Sequence, residues 1–280
     1  MPRRVKLTSW FFIERGGAVS FETLKFDVAD GVATIRLNRP DAMNAMDIQM
    51  SLDLMNAAIE CDENEEIRAV LITGEGKAFS AGGDLKGFAA SGDRISRTVK
   101  EMTIYLHGAI SRFARMDPPT IMAVNGTAAG AGMSLSLTGD IVLMAASAKM
   151  TMAYTAAALS PDGSSSYFLP RLVGIRRAAE LMITNRRLTA AEALEWGIAT
   201  RVVADDELMA EATAVARQLA SGPTRAYGAV KKMLVETFTT DLEAQMEMEA
   251  RLIASMMRTD DGKEGIAAFL AKRKPEFMGR

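Results

Sequence analysis

The chain has 280 residues, of which 49% are hydrophobic and 24% are charged. That composition is ordinary for a globular protein with a sizeable core, and it excludes extensive disorder. The 33 lysines and arginines nearly balance the 35 aspartates and glutamates, so there is no overall basic field to attract nucleic acid. A single cysteine, Cys61, and a single histidine, His107, exclude a disulfide framework and metal sites that need several such ligands.

The beginning of the chain, residues 1–20, is predicted to be an extension without chemistry. Its apolar run at residues 10–13 is too short for the core of a signal peptide. No other run approaches the roughly 20 apolar residues that a transmembrane helix needs. The sequence therefore predicts a cytoplasmic protein without membrane association.

The regular elements begin with a predicted β-hairpin. Residues 24–28 and 32–37 alternate in polarity and flank Asp30 and Gly31, a pair typical of a tight hairpin turn. Apolar residues at helical spacing then predict an amphipathic helix over residues 47–61.

Three short apolar runs, at residues 70–74, 120–124 and 141–144, predict buried strands. A long amphipathic helix is predicted between the first two of them, over about residues 93–115. Because strands separated by helices are typical of parallel sheets, the pattern indicates an α/β fold.

Helices are predicted to dominate after Pro170. Thr189 and Glu192 form a capping-box pattern that opens a helix ending at Gly197, and helical patterning continues from residue 206 to about 272. The predicted organisation is an extension (1–20), an α/β core (21–205) and a helical region (206–280).

Two connections rich in small residues, at residues 78–86 and 126–132, follow predicted strands and precede helices. Small side chains let a ligand approach the backbone, and free N–H groups at a helix N-terminus favour an anion. Taken singly, such connections are usually only tight turns. Neither matches the phosphate-binding patterns GxxxxGK[ST] or GxGxxG, but together they offer two amide donors from separate loops, as an oxyanion hole requires.

Asp162 lies between Pro161 and Gly163, and this tripeptide is typical of a turn in which the aspartate accepts backbone hydrogen bonds. Leu159 and Phe168 nearby also permit a second interpretation. In that interpretation Asp162 is a carboxylate at the edge of an apolar pocket and acts as a base. The residues alone leave both interpretations open.

The sequence resembles the crotonase, or enoyl-CoA hydratase/isomerase, superfamily over about residues 21–278. The resemblance depends on several motifs that occur together, in order and at the family's spacing. They are Asn38-Arg39-Pro40 with Asn44-Ala45, residues 79–86, Ala123-Val124-Asn125-Gly126, residues 168–174, Ala191-Glu192-Ala193 with Gly197, and Glu264-Gly265 with Ala268-Phe269 and Lys272-Arg273.

The resemblance implies a crotonase-type spiral of ββα units with a C-terminal helical trimerisation region, and a homotrimer or a dimer of trimers. It assigns the two oxyanion-hole amides to Gly83 and Ala131, where they would bind the thioester oxygen of an acyl-CoA. Ala131 stands where the family usually has glycine, but a backbone donor tolerates a methyl group if its dihedral angles allow it.

The resemblance also implies where the acyl-CoA substrate would lie. It implies no metal and no cofactor apart from the coenzyme A of the substrate itself. The residues expected to line the substrate are Met43, Asn44, Ala45, Ala81, Gly82, Asp84, Leu85, Lys86 and Tyr154.

The sequence departs from the family's hydratases at the two glutamates that activate water. By motif register these positions hold Ser134 and Tyr154, neither of which can act as a carboxylate base. Asp162 instead matches the catalytic aspartate of ring-epoxide isomerases of the phenylacetyl-CoA type, and also the nucleophilic aspartate of 4-chlorobenzoyl-CoA dehalogenases. His107 matches the water-activating histidine of those dehalogenases, although it is equally interpreted as a polar residue on a long helix.

We therefore predict an acyl-CoA isomerase with Asp162 as acid and base. The alternatives are an enoyl-CoA hydratase, an aromatic acyl-CoA dehalogenase or hydrolase with Asp162 as nucleophile, and a non-catalytic scaffold that binds acyl-CoA.

Overall fold

The computed structural model describes residues 20–280, so the predicted extension lies outside the described residues except for Ser20. The strands in this part of the chain are β1 (Leu24–Ala29), β2 (Val32–Leu37), β3 (Ala69–Gly74), β4 (Ala78–Ser80), β5 (Thr120–Val124), β6 (Thr127–Ala129), β7 (Ile141–Ala145), β8 (Lys149–Thr151), β9 (Leu188–Thr189) and β10 (Arg201–Val203).

The α-helices of the same part occur mainly between the later strands and after them. They are α1 (Ile48–Glu63), α2 (Leu85–Ala90), α3 (Ile95–Arg115), α4 (Ala131–Ser136), α5 (Ser165–Val173), α6 (Ile175–Thr184), α7 (Ala190–Glu195), α8 (Leu208–Ala220), α9 (Thr224–Glu236), α10 (Leu242–Met256) and α11 (Asp260–Leu270). None of these described helices is long and apolar enough to cross a bilayer.

The strands form two sheets that the chain visits alternately. The larger sheet has the order β1-β2-β3-β5-β7-β10, and the smaller has the order β4-β6-β8-β9. Strand pairs β3-β4, β5-β6 and β7-β8 therefore each pass from the larger sheet to the smaller one before helical segments lead back. This repeat of two strands and a helix is the α/β arrangement that the sequence predicts.

The hairpin is confirmed, since β1 pairs antiparallel with β2 and the turn at Asp30 and Gly31 has positive φ angles of 53° and 75°. From β2 to β10 every pairing in the larger sheet is parallel. Its central strands β3 and β5 are buried along their whole length, which explains their continuous apolar sequences.

Helices complete the core around the larger sheet. α1 and α3 pack against each other, and α8 packs on β3, β5 and β7. Leu54 of α1, Leu106 of α3 and Ala212 of α8 are fully buried in this core. Burial of a leucine side chain of this kind contributes about 1.5–3 kcal/mol. The first helix of the predicted C-terminal region is thus continuous with the core, whereas α10 buries no residue at all.

The short strands β4 and β6 are absent from the sequence-based prediction, which treats both segments as loops. Each has three residues, too few to show the alternation by which a strand is recognised. They matter because they place the ends of the two small-residue connections side by side.

Candidate active site

The two connections rich in small residues meet where the parallel strands β4 and β6 end. Residues 82–84 follow β4, and Gly130 leads from β6 into α4. A Cβ atom added to Gly82 would lie 2.8 Å from the carbonyl oxygen of Ala129 and 3.4 Å from the amide nitrogen of Ala131. Only glycine allows so close an approach at the φ of +97° that Gly82 adopts.

The amides of Gly83 and Ala131 remain free for a ligand. The backbone on either side of Gly83 is paired with Met46, whose N–H donates to the Gly82 carbonyl at 2.7 Å and whose carbonyl accepts from Asp84 N–H at 2.9 Å. Among the described residues, neither the Gly83 N–H nor the Ala131 N–H donates a hydrogen bond. Ala131 is the first residue of α4, where a helix leaves its N–H groups without an internal acceptor.

Residues 43–45, predicted to line coenzyme A, lie directly against this loop. Ala81 N–H donates to the Met43 carbonyl at 2.9 Å, and Ser80 Oγ donates to the Asn44 carbonyl at 2.8 Å. The Asn44 side chain is fully buried and donates to the carbonyls of Glu75 and Ala78, so it holds the two segments together.

The side chains around the loop differ in their access to solvent. Met43 and Leu85 are 50% and 53% exposed despite being apolar, and Lys86 is exposed beside Leu85. Ala45 is buried, and Ala81 is half-buried. Met43, Leu85 and Lys86 are therefore accessible to a ligand, two of them with apolar side chains and one with a positive charge.

Asp84 serves the loop structurally. Its Oδ1 accepts from Gly87 N–H at 3.0 Å as the N-cap of α2, and its Oδ2 accepts from Arg39 at 3.0 Å. These two interactions, the Gly87 hydrogen bond first, hold the pKa of Asp84 below its ordinary value.

Asp162 contacts the only histidine of the sequence. Its Oδ1 lies 2.6 Å from His107 Nε2, and the two residues come from α3 and from the turn before α5. Since an ionised carboxylate can only accept, this contact places the proton of a neutral imidazole on Nε2. The Asp162 side chain is 26% exposed and that of His107 is 51% exposed, so both remain accessible.

Ser134 and Tyr154 connect Asp162 to the oxyanion loop. The Ser134 hydroxyl lies 2.9 Å from the Tyr154 hydroxyl and 3.1 Å from the Gly130 carbonyl oxygen, to which it donates. The Tyr154 hydroxyl donates to the Asp162 carbonyl at 3.1 Å. Burial, together with the nearby charge of Asp162, raises the pKa of Tyr154 and keeps the phenol neutral.

A cavity of about 560 Å³ opens beside Asp162 and His107. Its walls combine apolar side chains near the carboxylate with polar groups from α3, the Asp162 turn and the end of α9. The lining residues include Ile110, Ser111, Arg115, Gly163, Ser164, Phe168, Val235, Glu236 and Thr239.

Comparison with known proteins agrees with this geometry. A family profile described as enoyl-CoA hydratase/isomerase matches residues 27–280. The chain belongs to this family. The resemblance predicted from the motifs is thereby confirmed, and the protein is an enzyme of the enoyl-CoA hydratase/isomerase family.

Curated relatives within the family have different names. The chain is 37% identical to a 1,2-epoxyphenylacetyl-CoA isomerase of Escherichia coli K12, over 90% of this chain and 97% of the relative. It is 36% identical to 4-chlorobenzoyl coenzyme A dehalogenase-2 of an Arthrobacter species, over 87% and 88% of the two chains. The relatives therefore establish the family and leave several reactions open.

Solved structures confirm the fold. An enoyl-CoA hydratase from Polaromonas sp. JS666 matches with a TM-score of 0.86 and 32% identity, over 91% of this chain and 99% of that one. One from Bacillus anthracis matches with the same TM-score and identity, over 92% and 100%. The crotonase-type α/β fold predicted from the sequence is thus confirmed.

The structure brings together most of the residues predicted for the site and adds two contacts that local sequence patterns do not show. The first is the contact between His107 and Asp162, which are 55 positions apart in the sequence. Only the motif register indicates that these two residues belong to one site. Arg39 makes the second, which local patterns do not show because an arginine beside a proline carries no functional signal beyond its place in a family motif.

Proposed function

We propose that the protein is an acyl-CoA isomerase in which Asp162 moves a proton between two carbons of the acyl group. The observation that carries this proposal is the position of Asp162, whose accessible carboxylate contacts His107 while Ser134 and Tyr154 occupy the two glutamate positions of hydratases. These two hydroxyl groups contact each other and donate to backbone carbonyls, and neither residue supplies a carboxylate to activate water.

In the proposed reaction the thioester oxygen accepts hydrogen bonds from the amides of Gly83 and Ala131. Asp162 removes a proton from one carbon of the acyl group, and the electron pair moves into the thioester carbonyl to form an enolate. Asp162 then returns the proton to a different carbon, which shifts a double bond or completes the isomerisation of a strained ring. Each oxyanion-hole donor contributes about 3–4 kcal/mol to such a transition state.

His107 supports the carboxylate in this scheme. By donating from Nε2 to Oδ1, it fixes the orientation of Asp162 and leaves Oδ2 to meet the substrate. Met43, Leu85 and Lys86 are proposed to contact coenzyme A, which enters as part of the substrate, and no separate cofactor is required.

A second candidate is nucleophilic catalysis, and the contact between His107 and Asp162 favours it specifically. An Asp162 oxygen would attack an aromatic ring carbon of the acyl group, and the halide would leave with the bonding electron pair. His107 would then activate a water molecule to hydrolyse the aspartyl ester. The 36% sequence identity to the Arthrobacter dehalogenase supports this candidate.

The deciding experiment is a panel of enoyl-, phenylacetyl- and haloaryl-CoA thioesters, assayed by absorbance and mass spectrometry. Isomerase activity requires a product of unchanged mass, and Asp162→Asn should lower its rate by about 10²–10⁴-fold while leaving thioester binding nearly intact. Asp205→Asn is the control, because Asp205 accepts from Ser147 N–H on an exposed surface and should not affect the rate.

Other outcomes of the panel contradict the isomerase. Halide release with an ester on Asp162, which accumulates in His107→Gln, establishes the second candidate. Retention of more than about a tenth of the activity in Asp162→Asn excludes Asp162 as the base. Binding of all thioesters without turnover indicates a non-catalytic scaffold.

We also propose that the active form is a homotrimer or a dimer of trimers. The C-terminal helices expose apolar side chains that a monomer would leave in water. They include Leu242, Met246, Ile253, Phe269 and Leu270. Sedimentation analysis tests this directly, and a stable monomer at assay concentration would contradict it.

A further inference from the structure

Arg39 links three segments around the proposed oxyanion hole. It lies after β2, and its guanidinium is mostly shielded, with 24% of the side chain exposed. Nη1 donates to the Ala45 carbonyl at 2.5 Å, whereas Nη2 lies 3.0 Å from Asp84 Oδ2 and 3.2 Å from Asp47 Oδ2.

The two carboxylates that Arg39 contacts each cap a helix. Asp47 Oδ1 accepts from Met50 N–H at 2.8 Å at the start of α1, as Asp84 Oδ1 does from Gly87 at the start of α2. In both residues one oxygen therefore holds the helix and the other faces Arg39. The guanidinium thereby fixes the relative position of two helix N-termini.

These contacts bracket Gly83. Ala45 directly precedes Met46, which pairs with the backbone on both sides of Gly83, and Asp84 directly follows Gly83. Movement of either segment would turn the Gly83 N–H away from its ligand. The planar fork of arginine suits this task, since it can bond a carbonyl and a carboxylate at once in a fixed geometry.

We propose that Arg39 is a positioning residue of the oxyanion hole, which holds the Gly83 amide in its productive direction by clamping Ala45 and Asp84. The inference rests on the proposed function, because it requires that a thioester oxygen binds at Gly83.

The test compares Arg39→Met and Arg39→Lys with wild type. We expect kcat to fall roughly 10²-fold in Arg39→Met with little change in KM, since a small misplacement of a catalytic group has that effect. Arg39→Lys keeps the charge but loses the fork, and should recover only part of the rate. The matched control is Arg36→Met, which removes a partly exposed arginine of β2 paired with Asp27 at 3.3 Å and should leave kcat unchanged.

A spectroscopic measurement separates positioning from stability. A chromophoric arylenoyl-CoA whose carbonyl accepts two hydrogen bonds should show a red-shifted absorbance when bound to wild type. The shift should shrink in Arg39→Met at saturating ligand, where only folded protein contributes. If Arg39→Met does not fold, the same absorbance measurement on Arg39→Lys tests whether Arg39 positions the Gly83 amide.

The possible failures are distinguishable. A full red shift and full kcat in the Arg39 variants overturn the role of Arg39 alone. A raised KM with unchanged kcat means that Arg39 binds coenzyme A, which also overturns the inference. Absence of any red shift in wild type overturns the oxyanion hole itself, and with it both the proposed function and this inference.

Discussion

At the scale of single residues, the chemistry of the site depends on which polar groups already have hydrogen-bond partners within the protein. Ser134 is fully buried, and its hydroxyl is occupied by Gly130 and Tyr154. Asp162 uses its backbone carbonyl for the Tyr154 hydroxyl and keeps its carboxylate for His107 and the cavity. Of the Ser134, Tyr154, His107 and Asp162 side chains, only the last two can therefore act as proton acceptors.

This arrangement predicts that wild type hydrates crotonyl-CoA at least ~10²-fold more slowly than it isomerises its own substrate, because Ser134 and Tyr154 supply no carboxylate to activate water. Ser134→Glu combined with Tyr154→Glu should be required before hydration appears. The single variants are the controls and should stay inactive. Loss of the enoyl thioester absorbance measures the reaction, and rapid hydration by wild type would refute the distinction.

At the scale of elements, the close approach of β4 and β6 sets the geometry of the loops. The space between Gly82 and Ala129 is too small for a methyl group, and the backbone of Gly82 is left-handed. Glycine is thus required there for both conformation and contact, whereas at Gly197 only the conformation, with a φ of +76°, requires it.

Gly82→Ala is expected to separate the two oxyanion amides and lower kcat by roughly 10²-fold. Gly197→Ala is the matched control, since its φ is also positive but no atom lies within 4 Å of the added methyl group. It should cost about 1 kcal/mol of stability and leave kcat unchanged. Equal losses of activity in Gly82→Ala and Gly197→Ala would show that backbone strain alone, and not separation of the oxyanion amides, lowers kcat.

The contact between α11 and the C-terminal segment predicts a pH dependence. Both Glu264 oxygens bind Arg273, at 2.6 and 2.7 Å, and Oε1 also accepts from Glu276 N–H at 2.9 Å. Arg273 first, and then the Glu276 amide, lower the pKa of Glu264 from 4.5 to about 2. Between these values the unfolded chain binds more protons than the folded one, so stability rises with pH.

The contribution of Glu264 should therefore be complete above pH 4.5 and lost as the pH falls to about 2. Glu264→Gln should flatten the acid limb of the melting temperature plotted against pH. If the acid limb of Glu264→Gln is as steep as that of wild type, Glu264 does not contribute to the loss of stability at low pH.

At the scale of the whole molecule, the buried side chain of Lys231 connects α9 to the α/β core. Lys231 is 5% exposed, and its Nζ donates to the carbonyls of Phe113 and Pro118 and to Asp140 Oδ2, the last at 2.9 Å. Burial lowers the pKa of Lys231 and raises that of Asp140. The Asp140 side chain remains 29% exposed, so it is the charge of Lys231 that requires these acceptors.

Lys231→Met should lower the free energy of unfolding by about 1–3 kcal/mol, because it leaves the carbonyls of Phe113 and Pro118 without their donor. Lys232→Met is the control, since Lys232 is the next residue and pairs with Asp117 at 2.7 Å on the surface, where the cost should stay below about 1 kcal/mol. Urea denaturation measures both values, and similar values would mean that the Lys231 pair is not structurally important.

The sequence alone determined the elements whose signals are local. The hairpin, the buried strands β3 and β5, the amphipathic helix α3 and the capping box at Thr189 all follow from patterns within a few residues, and the structure has each of them. The motif register also indicated the family and its fold, because motif residues such as Asn44 and Gly82 meet backbone requirements that few other residues can meet.

Only the tertiary structure decided what depends on distance along the chain. The strands β4 and β6 exist because they pair with each other, and His107 meets Asp162 because α3 passes the turn before α5. Arg39 acquires its role from Ala45 and Asp84, which the fold brings to its guanidinium. Local sequence patterns do not predict such contacts, since these contacts are determined by how the two sheets and the helices pack.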